Sequence, residues 1–127
     1  MAGKVVVSTL NDDTGVLQTQ NGMRGIAKAW VNFNGTGTVA IRDSFNVSSI
    51  TDNGTGDYTV NFTTAMPNAN YSLVGTCNLN ITGNTSRVVS APRSQAPTTT
   101  AIRIATTASD STGSEDVQFV FVAVFSS

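Results

Sequence analysis

The sequence predicts an all-β protein, specifically an antiparallel β-sandwich. Several runs alternate apolar and polar residues with the two-residue period of a strand, and no 3.6-residue period persists long enough to indicate a helix. Segments rich in Gly, Asn and Pro separate these runs at short spacing, which is typical of the turns of a sandwich. The chain has 127 residues, the size of one domain.

Residues 1–25 form the least regular part of the chain. Their clearest signal is a turn cluster at residues 11–15, and the segment has few apolar side chains to bury. We interpret residues 1–25 as an N-terminal arm that pairs with another subunit or attaches the protein to a larger particle. A poorly packed leader is the alternative. Residues 26–127 then make up the β-sandwich domain.

The first clear strand is predicted at residues 26–33. One face of this strand carries Ala29, Val31 and Phe33. Trp30, the only tryptophan of the chain, falls on the opposite and more polar face, where so large an apolar ring needs cover. We expect a second sheet or a neighbouring subunit to provide that cover, and a ligand platform at the surface is the alternative.

The central feature of the sequence is a β-hairpin. Residues 45–50 and residues 58–62 alternate in polarity, and the segment between them, residues 51–57, is rich in Gly, Asn and Asp. The alternation places Phe45 and Val47 on one face of the first strand. Because an isolated hairpin is marginally stable, we expect the remaining strands to pack against it.

Further strands are predicted on both sides of the hairpin. They cover residues 38–41, 71–81, 87–91 and 98–107. In the second of these, Cys77 and Ile81 fall in the apolar phase. In the last, Ile102 and Ile104 share the inward phase and Arg103 points outward. Loops that can present variable chemistry on a rigid scaffold lie at residues 51–57, 83–86, 94–99 and 109–114.

The C-terminal run, residues 117–125, is apolar in both phases. Strands have this pattern when both of their sides are covered. We therefore expect this strand to be central in the sandwich, or to meet a neighbouring subunit with its outer face. The candidate interface residues are Trp30, Val120, Val122 and Val124.

Charge and hydropathy argue against several classes of protein. Charged residues make up 12% of the chain, about half the ~25% of an average protein, and the net charge is −1. The seven basic residues are scattered, so we predict no binding of nucleic acid, which needs a positive stripe. No secretory signal and no run of about 20 apolar residues is present, which predicts synthesis in the cytoplasm and no membrane insertion.

Residues that carry enzyme chemistry are scarce. The chain has no histidine, which removes the Ser-His-Asp and Cys-His systems and the commonest zinc ligand. Its single cysteine, Cys77, cannot form an intrachain disulfide and is expected to be a buried, inert thiol. We therefore predict no catalytic residue, no cofactor and no metal site. The candidate ligand-facing loop residues are Asp52, Asn53, Thr55, Asp57, Asn84 and Ser111.

Two acidic residues flank the tip of the hairpin. Asp52 and Asp57 could approach each other like the carboxylate pair of a glycosidase, but their turn context favours side chains that hydrogen-bond the local backbone. A calcium loop is disfavoured because the ligand order and the closing glutamate of an EF-hand are missing.

Three segments carry a resemblance to a known family. They read AWVNFNGTGTVAIR at residues 29–42, FNVSSITDNGTGDYTVNF at residues 45–62 and TAMP at residues 64–67. These segments resemble the C-terminal domain of tail-fibre-like virion proteins of tailed bacteriophages, of the marine and cyanobacterial type. The resemblance is specific over about residues 27–75 and looser from there to residue 127.

The resemblance implies a structural protein of the virion, a tail-fibre or knob-like module that forms a closed homotrimer and contacts other tail or capsid proteins. In this first hypothesis exposed loops contact a glycan or protein of the host surface, and the resemblance transfers no catalytic or binding residue to this chain. A capsid-decorating or head-fibre protein with the same fold is the alternative. A small glycan-active enzyme is a third hypothesis, which the few acidic residues disfavour.

Overall fold

The computed structural model describes residues 3–4, 6, 9–11, 16–18, 24–82, 86–109 and 113–127. Within this part of the chain ten strands make an all-β fold, which confirms the predicted class. No helix among these residues is both long and apolar enough to cross a lipid bilayer. The strands are β1 (Thr9–Asn11), β2 (Val16–Gln18), β3 (Ala29–Asn34), β4 (Ala40–Phe45), β5 (Val47–Gly54), β6 (Asp57–Phe62), β7 (Ser72–Asn78), β8 (Ser86–Ser90), β9 (Ala101–Ala108) and β10 (Phe119–Phe125).

β1 and β2 form a separate two-stranded antiparallel sheet within residues 1–25. Asn11 lies opposite Val16, so the two strands flank the turn predicted at residues 11–15. Residues 12–15 themselves lie outside the described residues. The assignment of residues 1–25 as an arm or attachment segment stays a prediction.

The other eight strands of the described chain form one antiparallel sheet in the order β4-β3-β10-β7-β8-β9-β6-β5. β4 and β5 lie at its two ends, and a corner at Asn46 joins them. Asn46 has φ 54°, a left-handed conformation that asparagine tolerates. Its side-chain amide donates to the carbonyl oxygens of Lys28 and Thr64 at 3.0 and 3.1 Å. The corner therefore brings the two ends together and leaves the sheet nearly closed.

This corner corrects the prediction for the start of the central hairpin. The alternation placed Phe45 and Val47 on one face of one strand, but Phe45 ends β4 and Val47 begins β5. Because the chain turns at Asn46, Phe45 stays 55% exposed while Val47 is buried. The hairpin itself is confirmed, since β5 pairs with β6 in antiparallel register with Ile50 opposite Val60.

The core fills the inner face of the sheet. Alternate residues of β3, β6, β9 and β10 supply most of it, because a two-residue period places them on one face. The predicted inward residues Ile102 and Ile104 are both buried. Phe33 and Tyr58 meet edge to face in this core, with ring centroids 5.2 Å apart. The buried cluster comprises Ala29, Val31, Phe33, Val47, Tyr58, Val60, Phe62, Met66, Cys77, Ile102, Ile104, Val117, Val120, Val122 and Val124.

β7 is shorter than the strand predicted at residues 71–81. Asn80 Oδ1 accepts a hydrogen bond from the Thr82 N–H at 3.0 Å, and this local turn takes the chain out of the strand. Ile81, which the alternation placed in the apolar phase, is therefore 82% exposed. Cys77, in the same phase, is buried as predicted.

The segment that precedes β10 ties the ends of other strands together. The Val117 carbonyl oxygen accepts a hydrogen bond from the Gly35 N–H at 2.9 Å, just after β3. Asp116 Oδ1 accepts from the Gly56 N–H at 2.7 Å, in the turn between β5 and β6. The same carboxylate oxygen lies 2.9 Å from the hydroxyl of Tyr58. These contacts fix one end of the sheet around a buried phenol.

Candidate functional site

The valines of β10 lie inside the core. Val120, Val122 and Val124 are at most 4% exposed and pack against the other inner-face side chains. The prediction that these three residues face a neighbouring subunit is therefore wrong, because the core of the same chain covers them. β10 is nevertheless central, between β3 and β7, as its two apolar phases predicted.

The opposite phase of β10 belongs to an exposed apolar surface. Trp30 lies opposite Phe45 on β4 and opposite Ala123 on β10, and Ala123 in turn lies opposite Val74 on β7. The exposed fractions are 38% for Trp30, 55% for Phe45, 56% for Val74 and 40% for Phe121. We call Trp30, Phe45, Val74 and Phe121 the outer apolar face. Within the described residues, no second layer covers it.

The outer apolar face continues into a cleft at the Asn46 corner. Phe45 lines this cleft together with Ile26, Met66 and Pro67. Ile26 is 60% exposed, so the apolar surface extends beyond the sheet itself. Monomeric soluble proteins rarely expose contiguous apolar patches larger than a few hundred Å², so this surface is a candidate contact site.

The predicted ligand-facing residues of the hairpin are spread over two strands and a turn. Asp52 and Asn53 belong to β5, Thr55 lies in the turn and Asp57 begins β6. Asp52 Oδ1 accepts a hydrogen bond from the Gly54 N–H at 3.0 Å, which is the local role expected of a turn aspartate. The two other candidates, Asn84 and Ser111, lie outside the described residues.

Asp57 is the centre of a charged cluster on the outer surface of β6 and β9. Nε and Nη2 of Arg103 donate to its two carboxylate oxygens at 2.7 and 2.9 Å, a bidentate geometry. Asn53 donates a longer hydrogen bond of 3.4 Å, and Arg93 Nε lies 3.6 Å from Oδ2. The hydrogen bonds from Arg103 hold the pKa of Asp57 below its ordinary value, although burial opposes them. A carboxylate kept ionised in this way is poorly suited to donate a proton as a general acid.

Other reactive groups are buried in neutral form. Burial raises the pKa of Cys77 to about 11, and a neutral thiol is a poor nucleophile. Burial, together with the Asp116 carboxylate, raises the pKa of Tyr58 far above its ordinary value. Across the part of the chain that the structure describes, no three His, Cys, Asp or Glu side chains cluster to hold a metal ion. The Cys77 thiol and the Tyr58 phenol therefore stay protonated at neutral pH.

The sequence interpretation missed Arg93 and Arg103 as site residues. The alternation placed Arg103 on the outer surface correctly, but its partner Asp57 lies 46 positions away in the chain. The pairing of β6 with β9, with Thr59 opposite Arg103, brings the two charges together. No local sequence pattern predicts which strands distant in the chain become neighbours, because strand pairing depends on the complete fold.

The chain was compared with models of known protein families, with curated proteins and with solved structures, and none of the three comparisons gave a match. The likeness to phage fibre proteins at residues 29–67 therefore stays an expectation from the sequence. What the protein does has to be inferred from its two outer surfaces, the outer apolar face and the cluster around Asp57.

Proposed function

We propose that this chain is a non-enzymatic structural protein of a bacteriophage virion, a tail-fibre or knob-like module that assembles as a closed homotrimer. The observation that carries the proposal is the outer apolar face, which a lone protomer leaves in water. Rotational assembly of identical chains covers the same patch on every copy. The sequence resemblance at residues 29–67 supports the assignment to a phage particle.

The strand pairing supports a sandwich-like knob. β7 and β8 share two residue pairs, Cys77 with Arg87 and Asn78 with Ser86. This short pairing supports a division of the continuous sheet into two four-stranded layers around the common core, β4-β3-β10-β7 and β8-β9-β6-β5. A rigid unit of this kind presents fixed surfaces to its partners and needs no conformational change to do so.

The outer apolar face has the composition of the centre of a protein interface, where aromatic residues are enriched and charges are depleted. Asn32 and Thr76 lie opposite Phe121 on either side and offer neutral hydrogen-bonding groups. Because the four apolar side chains are about half covered already, complete burial contributes roughly 1 kcal/mol for each of them. The net charge of −1 gives little repulsion between copies.

The chemistry of the described residues also supports a non-enzymatic role. Asp57 is ion-paired, Asp116 is hydrogen-bonded by Gly56 and Tyr58, and Cys77 is buried. We expect no cleavage of host-surface glycans when they are incubated with the protein. Release of shorter glycan fragments would support the glycan-active enzyme instead.

The oligomer is tested by measuring the mass of the purified protein in solution by light scattering. We expect three times the protomer mass for the natural chain, and the protomer mass for Val74→Asp and Phe121→Asp, which place a charge on the outer apolar face. Val88→Asp is the matched control, because Val88 is an exposed strand valine of β8 outside that face and should leave the trimer intact. A natural chain that is monomeric at high concentration would contradict the trimer.

Mass spectrometry of purified particles tests the role in the virion. Copies on the order of tens per particle support a tail fibre, whereas copies on the order of hundreds support the capsid-decorating alternative, because symmetric shells repeat their surface proteins many times. A protein that is absent from purified particles overturns both.

A further inference from the structure

Two arginines share one carboxylate at the cluster around Asp57. Arg103 holds both carboxylate oxygens of Asp57, and Arg93 approaches the same group with its Nε 3.6 Å from Oδ2. The Asp57 side chain is 12% exposed, so this carboxylate is largely occupied by the two cations. The three side chains together carry one uncompensated positive charge.

The two arginines have N–H donors that Asp57 does not use. Arg93 Nε is buried 3.6 Å from Asp57 Oδ2 and makes no hydrogen bond within the described residues, so this atom belongs to the ion pair and the outer nitrogens of Arg93 are the ones that can meet a ligand. The Arg93 side chain is 41% exposed, so the rest of its guanidinium group reaches solvent. Nη1 of Arg103 likewise has no hydrogen-bond partner among the described residues, because that side chain uses Nε and Nη2 for Asp57. Two adjacent guanidinium groups with unused N–H donors match the geometry of a carboxylate or sulfate.

The backbone holds Arg93 in place before any ligand arrives. Its N–H donates to the Arg103 carbonyl oxygen at 2.8 Å, and its own carbonyl oxygen accepts from the Gln95 N–H at 2.7 Å. Ser94, between them, adopts φ 57° and turns the loop back on itself. A donor that is already positioned loses less conformational entropy on binding.

A row of neutral polar side chains continues from the arginines across the sheet. Thr51, Thr59 and Arg103 lie opposite one another on β5, β6 and β9. The amide of Asn53 donates to the Thr59 hydroxyl at 2.8 Å, and the amide of Asn61 donates to the Thr51 hydroxyl at 2.9 Å. Neither amide oxygen accepts a hydrogen bond from a described residue, so both remain available to hydroxyl donors.

We propose that Arg93 and Arg103, together with Asn53, Thr59 and Asn61, bind a saccharide that carries a carboxylate or sulfate group. The arginines hold the anionic group, and the amide and hydroxyl side chains accept and donate hydrogen bonds to the sugar hydroxyls. The inference rests on the proposed function, for which it names the chemical class of the surface contacted. An acidic peptide fits less well, because this row of residues offers no exposed apolar side chain.

Isothermal titration calorimetry of the full chain at low salt tests the site. Oligogalacturonate is the carboxylated probe, sulfated dextran is the sulfated probe and neutral dextran is the blank. We expect at least one acidic probe to bind and the blank not to bind. Arg93→Gln should weaken binding by about tenfold or more, because it removes a charge-assisted contact while leaving the Asp57–Arg103 pair intact. Arg24→Gln, which removes the same charge from an exposed position before β3, should change the affinity by less than about twofold.

Several results would overturn the site. If Arg93→Gln and Arg24→Gln weaken saccharide binding equally, the attraction is a nonspecific effect of charge. If inorganic sulfate or oligoglutamate binds as tightly as the acidic saccharides, the protein does not recognise the sugar. No binding of either acidic probe also overturns it. Light scattering on the same samples separates this failure from that of the proposed function. A trimer that binds neither probe would overturn only the proposed saccharide site, whereas a monomer that binds a probe would overturn only the proposed trimer.

Discussion

Replacing Tyr58 with phenylalanine removes one hydroxyl group from the middle of the fold. This hydroxyl lies 2.9 Å from the Gly35 carbonyl oxygen and 2.9 Å from Asp116 Oδ1. The ring itself is fully buried and packs edge to face on Phe33. Tyr58→Phe keeps that packing and deletes the hydrogen bond alone.

The expected loss follows from what the hydroxyl leaves behind. A hydrogen bond to a charged group contributes about 1.5–3 kcal/mol to stability, and one between neutral groups about 1 kcal/mol. Asp116 keeps the hydrogen bond from the Gly56 N–H at 2.7 Å, so its carboxylate is not left without a donor. We therefore expect the lower part of the range, a loss of about 1.5–2 kcal/mol, which for a domain of this size lowers Tm by roughly 5–10 °C.

Urea unfolding followed by circular dichroism measures this loss, with Tyr71→Phe as the matched control. The Tyr71 hydroxyl is more exposed and faces the carbonyl oxygens of Thr98 and Ala101, so its removal should cost about 0.5–1 kcal/mol. Because the raised pKa of Tyr58 keeps its phenol protonated, the Tyr58→Phe loss should be the same at neutral and mildly alkaline pH. A loss below about 0.5 kcal/mol, or one no larger than that of Tyr71→Phe, would refute the view that this phenol ties the ends of the strands together.

Three further results are expected. Gly35→Ala places a methyl carbon 2.5 Å from the Tyr58 hydroxyl and should destabilise the fold by about 1–3 kcal/mol in urea unfolding. Gly25→Ala, which has open space around it, is the control and should be close to neutral. Equal losses of stability in the two variants would contradict the close approach of Gly35 to Tyr58. The pKa of Asp57 is lower in the folded state than its unfolded value of about 3.9, so its stabilising contribution is present above that value and is lost as the pH falls through the folded pKa. Asp57→Asn should therefore remove part of the acid-induced loss of stability, and an unchanged pH profile would argue against the ion pair. Cys77, with a pKa raised to about 11 by burial, should resist a thiol reagent at about pH 8 until the protein unfolds, and rapid labelling of the native protein would show that the thiol is accessible.

The sequence alone was enough to predict most of the strands and the buried face of some of them. The two apolar phases at residues 117–125 predict a strand that is central in the sheet, but they did not identify its inner side, since Val120, Val122 and Val124 were assigned to an interface. The alternation around Ile102 and Ile104 does assign their inward side. These predictions succeed because the side-chain period of a strand is local and leaves a direct pattern in the sequence. The hairpin between β5 and β6 was predictable for the same reason, since its partners are adjacent in the chain.

Only the tertiary structure decided which strands distant in the chain are neighbours and which side chains meet on their outer faces. The turn at Asn46 separates Phe45 from Val47 through a backbone conformation that the alternation does not encode. The ion pair of Asp57 with Arg103 likewise depends on β6 lying beside β9. A two-residue period says which side of a strand is buried, but it carries no information about the strand that lies next to it, because that choice depends on the free energy of the complete sheet.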